Sequence, residues 1–151
     1  LVGSETTEKA RILSGLVRVA FNTDAVIIDG GMASGIELLS IKRGVKMLGV
    51  SPETLIKYPT KSDPGQFNPG ELTPHSHLIT IGCKETPCRW DDIIPFKLEI
   101  AARIRNGRGG PGDFQCKGVA IVAGESPTAE GEVAALVKAG YPIILLADEQ
   151  A

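Results

Sequence analysis

A chain of 151 residues has the length of one ordinary domain, or most of one, and can bury a core without staples. Hydrophobic residues at 42% and charged residues at 23% exclude a disordered or fibrous protein. Sixteen basic against eighteen acidic side chains leave a net charge of −2, which removes the footprint expected of a non-specific nucleic-acid or membrane-surface binder. Three cysteines (Cys83, Cys88 and Cys116), with no C-x-x-C spacing, fit a reducing, cytoplasmic setting. No apolar run approaches the roughly 20 residues of a membrane span, so no membrane contact is expected. Leu1-Val2-Gly3-Ser4 runs straight into a charged, helix-like stretch rather than a signal peptide. Leu1-Val2 reads as the tail of a strand, and the chain is expected to be a fragment of a single domain over 1–151.

Ala10, Leu13, Leu16, Val17, Ala20 and Phe21 recur at helical spacing and predict an amphipathic helix from about Thr7 to Phe21. Ala25 to Asp29 is a short apolar run that stops at Gly30-Gly31, as strands buried on both faces of a parallel sheet do. A short helix is expected from Gly35 to Lys42, then a strand from Lys46 to Val50 ended by Ser51-Pro52. From Ser51 to His77 there is no periodicity, and five of the ten prolines fall there. Such a loop is expected to move and to close over a ligand. A strand resumes at Leu78 to Gly82, its direction left open. Leu98, Ile100, Ala101, Ala102 and Ile104 mark a helix ending near Arg105, and the glycine-rich stretch Asn106 to Gly112 is loop. Val119 to Ala123 is a strand, and Glu130 to Ala139 a helix with Val133, Leu136 and Val137 on one face. Gly140 ends that helix and Tyr141 to Ala147 is the last strand. Strands alternating with helices through glycine turns predict an α/β, Rossmann-like, doubly wound fold with a mostly parallel sheet and helices on both faces.

In such sheets ligands sit beyond the carboxyl ends of the strands. Gly30-Gly31-Met32-Ala33-Ser34-Gly35 joins a strand end to a helix start, where backbone N–H groups, the helix dipole and the Ser34 hydroxyl can hold an anion. The alternative is a turn that needs glycine only for packing. Gly31→Val is expected to abolish binding and leave the fold cooperative. Gly124-Glu125-Ser126-Pro127-Thr128 forms a second such junction, with Thr128 as helix cap. Glu132 follows, and its spacing favours a carboxylate that complements the helix dipole over a general acid. In His75-Ser76-His77 the two imidazoles share a face if the chain is extended. The Cys83-x4-Cys88 spacing departs from zinc sites, so no metal is expected and His75 is read as a ligand-edge residue. Arg103, Arg105 and Arg108 beside the glycine-rich stretch read as a solvated connection rather than an anion loop.

Taken together, Val26 to Gly35 (VIIDGGMASG), Leu48 to Pro52 (LGVSP), Leu72 to Ile81 (LTPHSHLITI), Gly124-Glu-Ser-Pro-Thr128, Glu132 and Gly140 to Leu146 (GYPIILL) resemble the SLOG superfamily. The similarity is to its LSDAT branch, which includes the cytosolic N-terminal region of melastatin-type TRP channels; LOG phosphoribohydrolases and DprA/Smf proteins are relatives. The resemblance implies binding or sensing of a nucleotide or nucleotide-derived ligand, of the NAD or ADP-ribose kind, with no cofactor required. The ligand contacts it implies, with the turns above, are Gly3, Ser4, Gly30, Gly31, Ser34, Gly35, Ser51, Pro52, His75, Gly124, Glu125, Ser126 and Thr128. The alternative is a LOG-like nucleoside 5′-monophosphate phosphoribohydrolase, in which Glu132 assists cleavage of the base–ribose bond. Against hydrolysis, Glu125 and Pro127 stand where those enzymes carry glycines, the Glu is displaced by one residue, and no counterpart of their catalytic arginine is found. Single-stranded nucleic acid is disfavoured as a partner on charge and aromatic content. Self-association into a homo-oligomer is left open.

Overall fold

Two parallel sheets, each with its own helices, organise the chain. The computed structural model describes residues 4–31, 44–58, 71–72, 75–84, 87–107, 116–123 and 127–146. They fall into two compact units, Leu1–Arg89 and Trp90–Ala151.

In the first unit, helix α1 (Ser4–Asn22) leads into strand β1 (Val26–Asp29), followed by β2 (Lys46–Pro52), a 3-10 turn (Glu53–Leu55) and β3 (His77–Ile81). The strands lie in the order β1-β2-β3 and both pairings are parallel. The direction of the strand at Leu78, open on sequence, is therefore settled as parallel. β2 is the middle strand and is buried from Met47 to Pro52, whereas β1, the run expected to be buried on both faces, is only half-buried, with Val26 exposed, because it has a single described strand neighbour. Val17 and Ala20 of α1 pack on Val45, with Ile27 beside them. Phe21, expected on the same stripe, is 58% exposed.

α1 ends without glycine. Asp24 takes the left-handed conformation (φ 54°), and Ala25 N–H reaches back to the Ala20 carbonyl at 2.9 Å. This is a Schellman ending, with an Asp where Gly is usual. β2 runs through Ser51-Pro52 instead of stopping before them. At Pro52 it has outrun β1, whose last pair is Asp29 with Gly49, so it has one described strand neighbour there and tolerates a residue without an N–H. Within the expected long loop, a bridge joins Lys57 and Glu71, and Glu71 and Leu72 are buried. The predicted helix from Gly35 to Lys42 lies outside the described residues, as does most of the loop.

In the second unit, α2 (Trp90–Asn106) precedes β4 (Ala120–Ala123), α3 (Pro127–Lys138) and β5 (Ile143–Leu146), with β4 and β5 parallel. α2 starts well before Leu98 because the helix carries Pro95 within it, a residue that reads as a breaker in sequence. Ile93 and Ile94 are its buried side chains. Gly131 of α3 faces Ile94: a Cβ there would sit 3.5 Å from Ile94 Cδ1, an ordinary packing distance. α3 closes as predicted at Gly140 (φ 72°), with Gly140 N–H to Val137 O and Tyr141 N–H to Leu136 O. Val137, expected on the buried face, is 64% exposed. The architecture is α/β and Rossmann-like. Among the described residues no helix is long and apolar enough to cross a membrane.

Candidate functional site

At the end of β1 an aspartate closes an apolar strand, and its side chain organises the turn beyond it. Asp29 Oδ1 accepts the N–H of Gly31 at 2.8 Å, an i to i+2 bond that bends the chain at Gly30. Gly31 has φ 70°, the left-handed region that favours glycine. Space demands glycine too. A Cβ on Gly31 would lie 2.9 Å from Leu78 Cδ1, 3.1 Å from Ser51 Oγ and 3.3 Å from Gly49 Cα. Gly31→Val therefore strains the fold itself and is no clean probe of binding, contrary to expectation.

β2 supports this turn from beneath. Gly49 pairs in register with Asp29 on one side and Leu78 on the other. Ser51 is fully buried and its hydroxyl donates to the Gly30 carbonyl. Ser51 thus braces the turn, and its neighbour Pro52 is buried beside it.

β3 supplies the third element. Ser76 clasps β2 by accepting the Met47 N–H at 2.7 Å and donating to the Met47 carbonyl at 2.9 Å. This clasp fixes His75 just ahead of β3, and His75 Nε2 lies 2.9 Å from Asp29 Oδ1. The imidazole is 1% exposed and the Asp29 side chain 11%. An ionised carboxylate needs Nε2 to carry a proton, so the contact selects the imidazole's protonation at that nitrogen. The bridge crosses β2 where β2 has no side chain: a Cβ on Gly49 would sit 3.3 Å from His75 Cδ2. Asp29 Oδ2 is buried and has no hydrogen-bond partner among the described residues. His77, predicted to share a face with His75 if the chain is extended, opens β3 as an exposed residue, while the His75 imidazole is buried.

The second unit places Glu132 sixth in α3, its Oε1 2.7 Å from Lys97 Nζ of α2. The side chains are 31% and 23% exposed respectively, so the carboxylate is committed to an ammonium in a half-buried ion pair. Thr128, expected to cap α3, is instead its second residue, because the helix begins at Pro127, a favoured first helical position. Ser4 is the first residue of α1. Gly3, Ser34, Gly35, Gly124, Glu125 and Ser126 lie outside the described residues. Between the end of α2 and the amino end of β4, Arg105, Asn106, Cys116, Lys117, Gly118 and Pro142 line a shallow depression of about 400 Å³. That is the sheet edge opposite the carboxyl ends at which such folds take ligands.

Sequence reasoning singled out Gly30, Gly31 and His75 but not Asp29 or Gly49. The signal for Asp29 is a charged residue ending an otherwise apolar strand. For Gly49 it is a glycine inside a buried strand, a known mark of close backbone approach.

The parallel α/β units and the glycine turn beyond β1 define a domain of the Rossmann-like α/β class. The family profile described as "SLOG in TRPM, prokaryote" matches residues 3–150, and the chain belongs to that family. No curated protein matches the sequence.

Proposed function

We propose that this domain binds a nucleotide or nucleotide-derived ligand at the carboxyl end of β1 and works as a ligand sensor. The observation that carries the reading is the close approach of Gly31 to Gly49 beside the Asp29–His75 pair, in a chain of the SLOG family. Glycines at such a turn let a ligand come near the backbone, and the strand end is where parallel α/β sheets take ligands. Because the Gly31 N–H already serves Asp29, the donors to a phosphate come from other groups of the turn and the helix start expected after it. The Lys97–Glu132 pair supports binding without base release, since it ties Glu132 Oε1 to a neighbouring helix. The three free cysteines support a reducing, cytoplasmic setting.

The test is titration of the isotope-labelled protein with AMP and with ADP-ribose, followed by amide NMR. Saturable shifts centred on Gly30, Gly31 and Gly49 are expected. Absence of any shift at millimolar concentrations of both overturns the proposal.

A further inference from the structure

We propose that His75 is the positioning residue of the glycine turn, acting through Asp29; the claim deepens the nucleotide-binding reading and, for its ligand arm, rests on it. A carboxylate at a strand end has rotational freedom and strong hydration, and left alone Asp29 would turn toward water. Three features of the fold prevent this. His75 Nε2 holds Oδ1 from the far side of β2 at 2.9 Å. The same oxygen holds the Gly31 N–H at 2.8 Å. The absence of a side chain on Gly49 leaves the passage through which the imidazole reaches.

The pair lies in a buried setting, where the loss of such a hydrogen bond is costly. Asp29 Oδ2 has no hydrogen-bond partner among the described residues. The orientation of the carboxylate therefore hangs on Oδ1, and Oδ1 is shared between His75 and Gly31. Without the imidazole, Oδ1 loses its bond from beyond β2 and Asp29 is free to turn away from Gly31. With it, Oδ1 stays on the Gly31 N–H and the turn keeps its left-handed Gly31. His75 thus acts at one remove from any ligand, across 46 positions of sequence.

The test compares His75→Leu with His75→Gln, whose side-chain amide nitrogen can stand near the position of Nε2. The first readout needs no ligand: hydrogen exchange at the Gly31 amide, with the Val50 amide and the thermal transition as controls for the fold. In His75→Leu, Gly31 exchange should rise at least about tenfold while Val50 stays protected, and His75→Gln should restore most of the protection. The second readout is AMP affinity by calorimetry, expected to fall about tenfold in His75→Leu and only about two- to threefold in His75→Gln.

Unchanged Gly31 exchange in His75→Leu overturns the proposal. So does equal loss of protection in both variants, which would mean that the imidazole's shape alone matters. Loss at Gly31 with unchanged AMP affinity overturns the link to the ligand. Loss at Gly31 in a protein whose wild type binds no AMP leaves the positioning role supported and overturns the nucleotide reading for this probe.

Discussion

Gly31 and Gly49 approach so closely that a Cβ on Gly49 would lie 2.8 Å from Gly31 Cα. Gly31 Cα is backbone and a Cβ is fixed by the backbone that bears it, so neither side can yield by rotating a side chain. A methyl group on Gly49 would also press on Leu78 Cδ1 at 2.9 Å and on the His75 ring. Gly49→Ala should destabilise the protein by about 1–3 kcal/mol, the range for overpacking a filled interior. Urea denaturation measures this, and a loss below a few tenths would show that β1 and β2 are further apart than described.

How far the sequence anticipated this arrangement depends on what each feature answers to. β1 and β2 were legible as apolar runs between glycine or proline stops, although burial on both faces, expected of β1, is found in β2 instead. The extension of β2 through Pro52 was not, since proline reads as a stop unless one knows that β1 has already ended. The first turns of α2 were hidden by Pro95 for the same reason. Within the site, Gly30-Gly31 was visible as a local turn. The Asp29–His75 bridge was not, because it depends on the register of β1, β2 and β3, which periodicity does not encode.

The two Schellman endings make opposite predictions. Gly140 has φ 72° and open space where a Cβ would go, so Gly140→Ala bears only the cost of the left-handed backbone, about 1 kcal/mol. Asp24 has φ 54° and already carries that cost. Its ion pair with Lys46 is exposed on both sides and contributes little. Asp24→Gly should therefore stabilise by up to about 1 kcal/mol. A thermal denaturation series should move the midpoints in opposite directions; a shift of both downward would contradict the assignment at Asp24.

Tyr141 gives a prediction about a buried hydroxyl. Its ring lies under Arg105, whose guanidinium carbon is 4.7 Å from the ring centroid. The ring also covers Gly118, where a Cβ would come within 2.8 Å of Tyr141 Cε1. The phenol oxygen is buried with no hydrogen-bond partner among the described residues. A desolvated hydroxyl without a partner costs about 1–3 kcal/mol, while the ring contacts survive in phenylalanine. Tyr141→Phe should be neutral or stabilising by about 1 kcal/mol. A loss of more than that in chemical denaturation would mean that the hydroxyl has a bonding partner.

Glu132 separates a binding module from a base-releasing enzyme. A general acid for base–ribose cleavage must carry its proton within roughly 2.6–3.2 Å of the atom it serves. Here Oε1 is occupied by Lys97 Nζ at 2.7 Å, and an ammonium, which only donates, asks that oxygen to accept. The pair is half-buried, so its removal should be felt in stability rather than in turnover. Glu132→Gln should cost about 1 kcal/mol, at the upper end for pairs of this exposure. Incubation with a panel of nucleoside 5′-monophosphates should release no free base at a rate near the ~10 per second typical of enzymes, in wild type or variant. Base release by the wild type that disappears in Glu132→Gln would instead require Lys97 to part from Glu132 when substrate binds. It would make the hydrolase the correct reading of this chain.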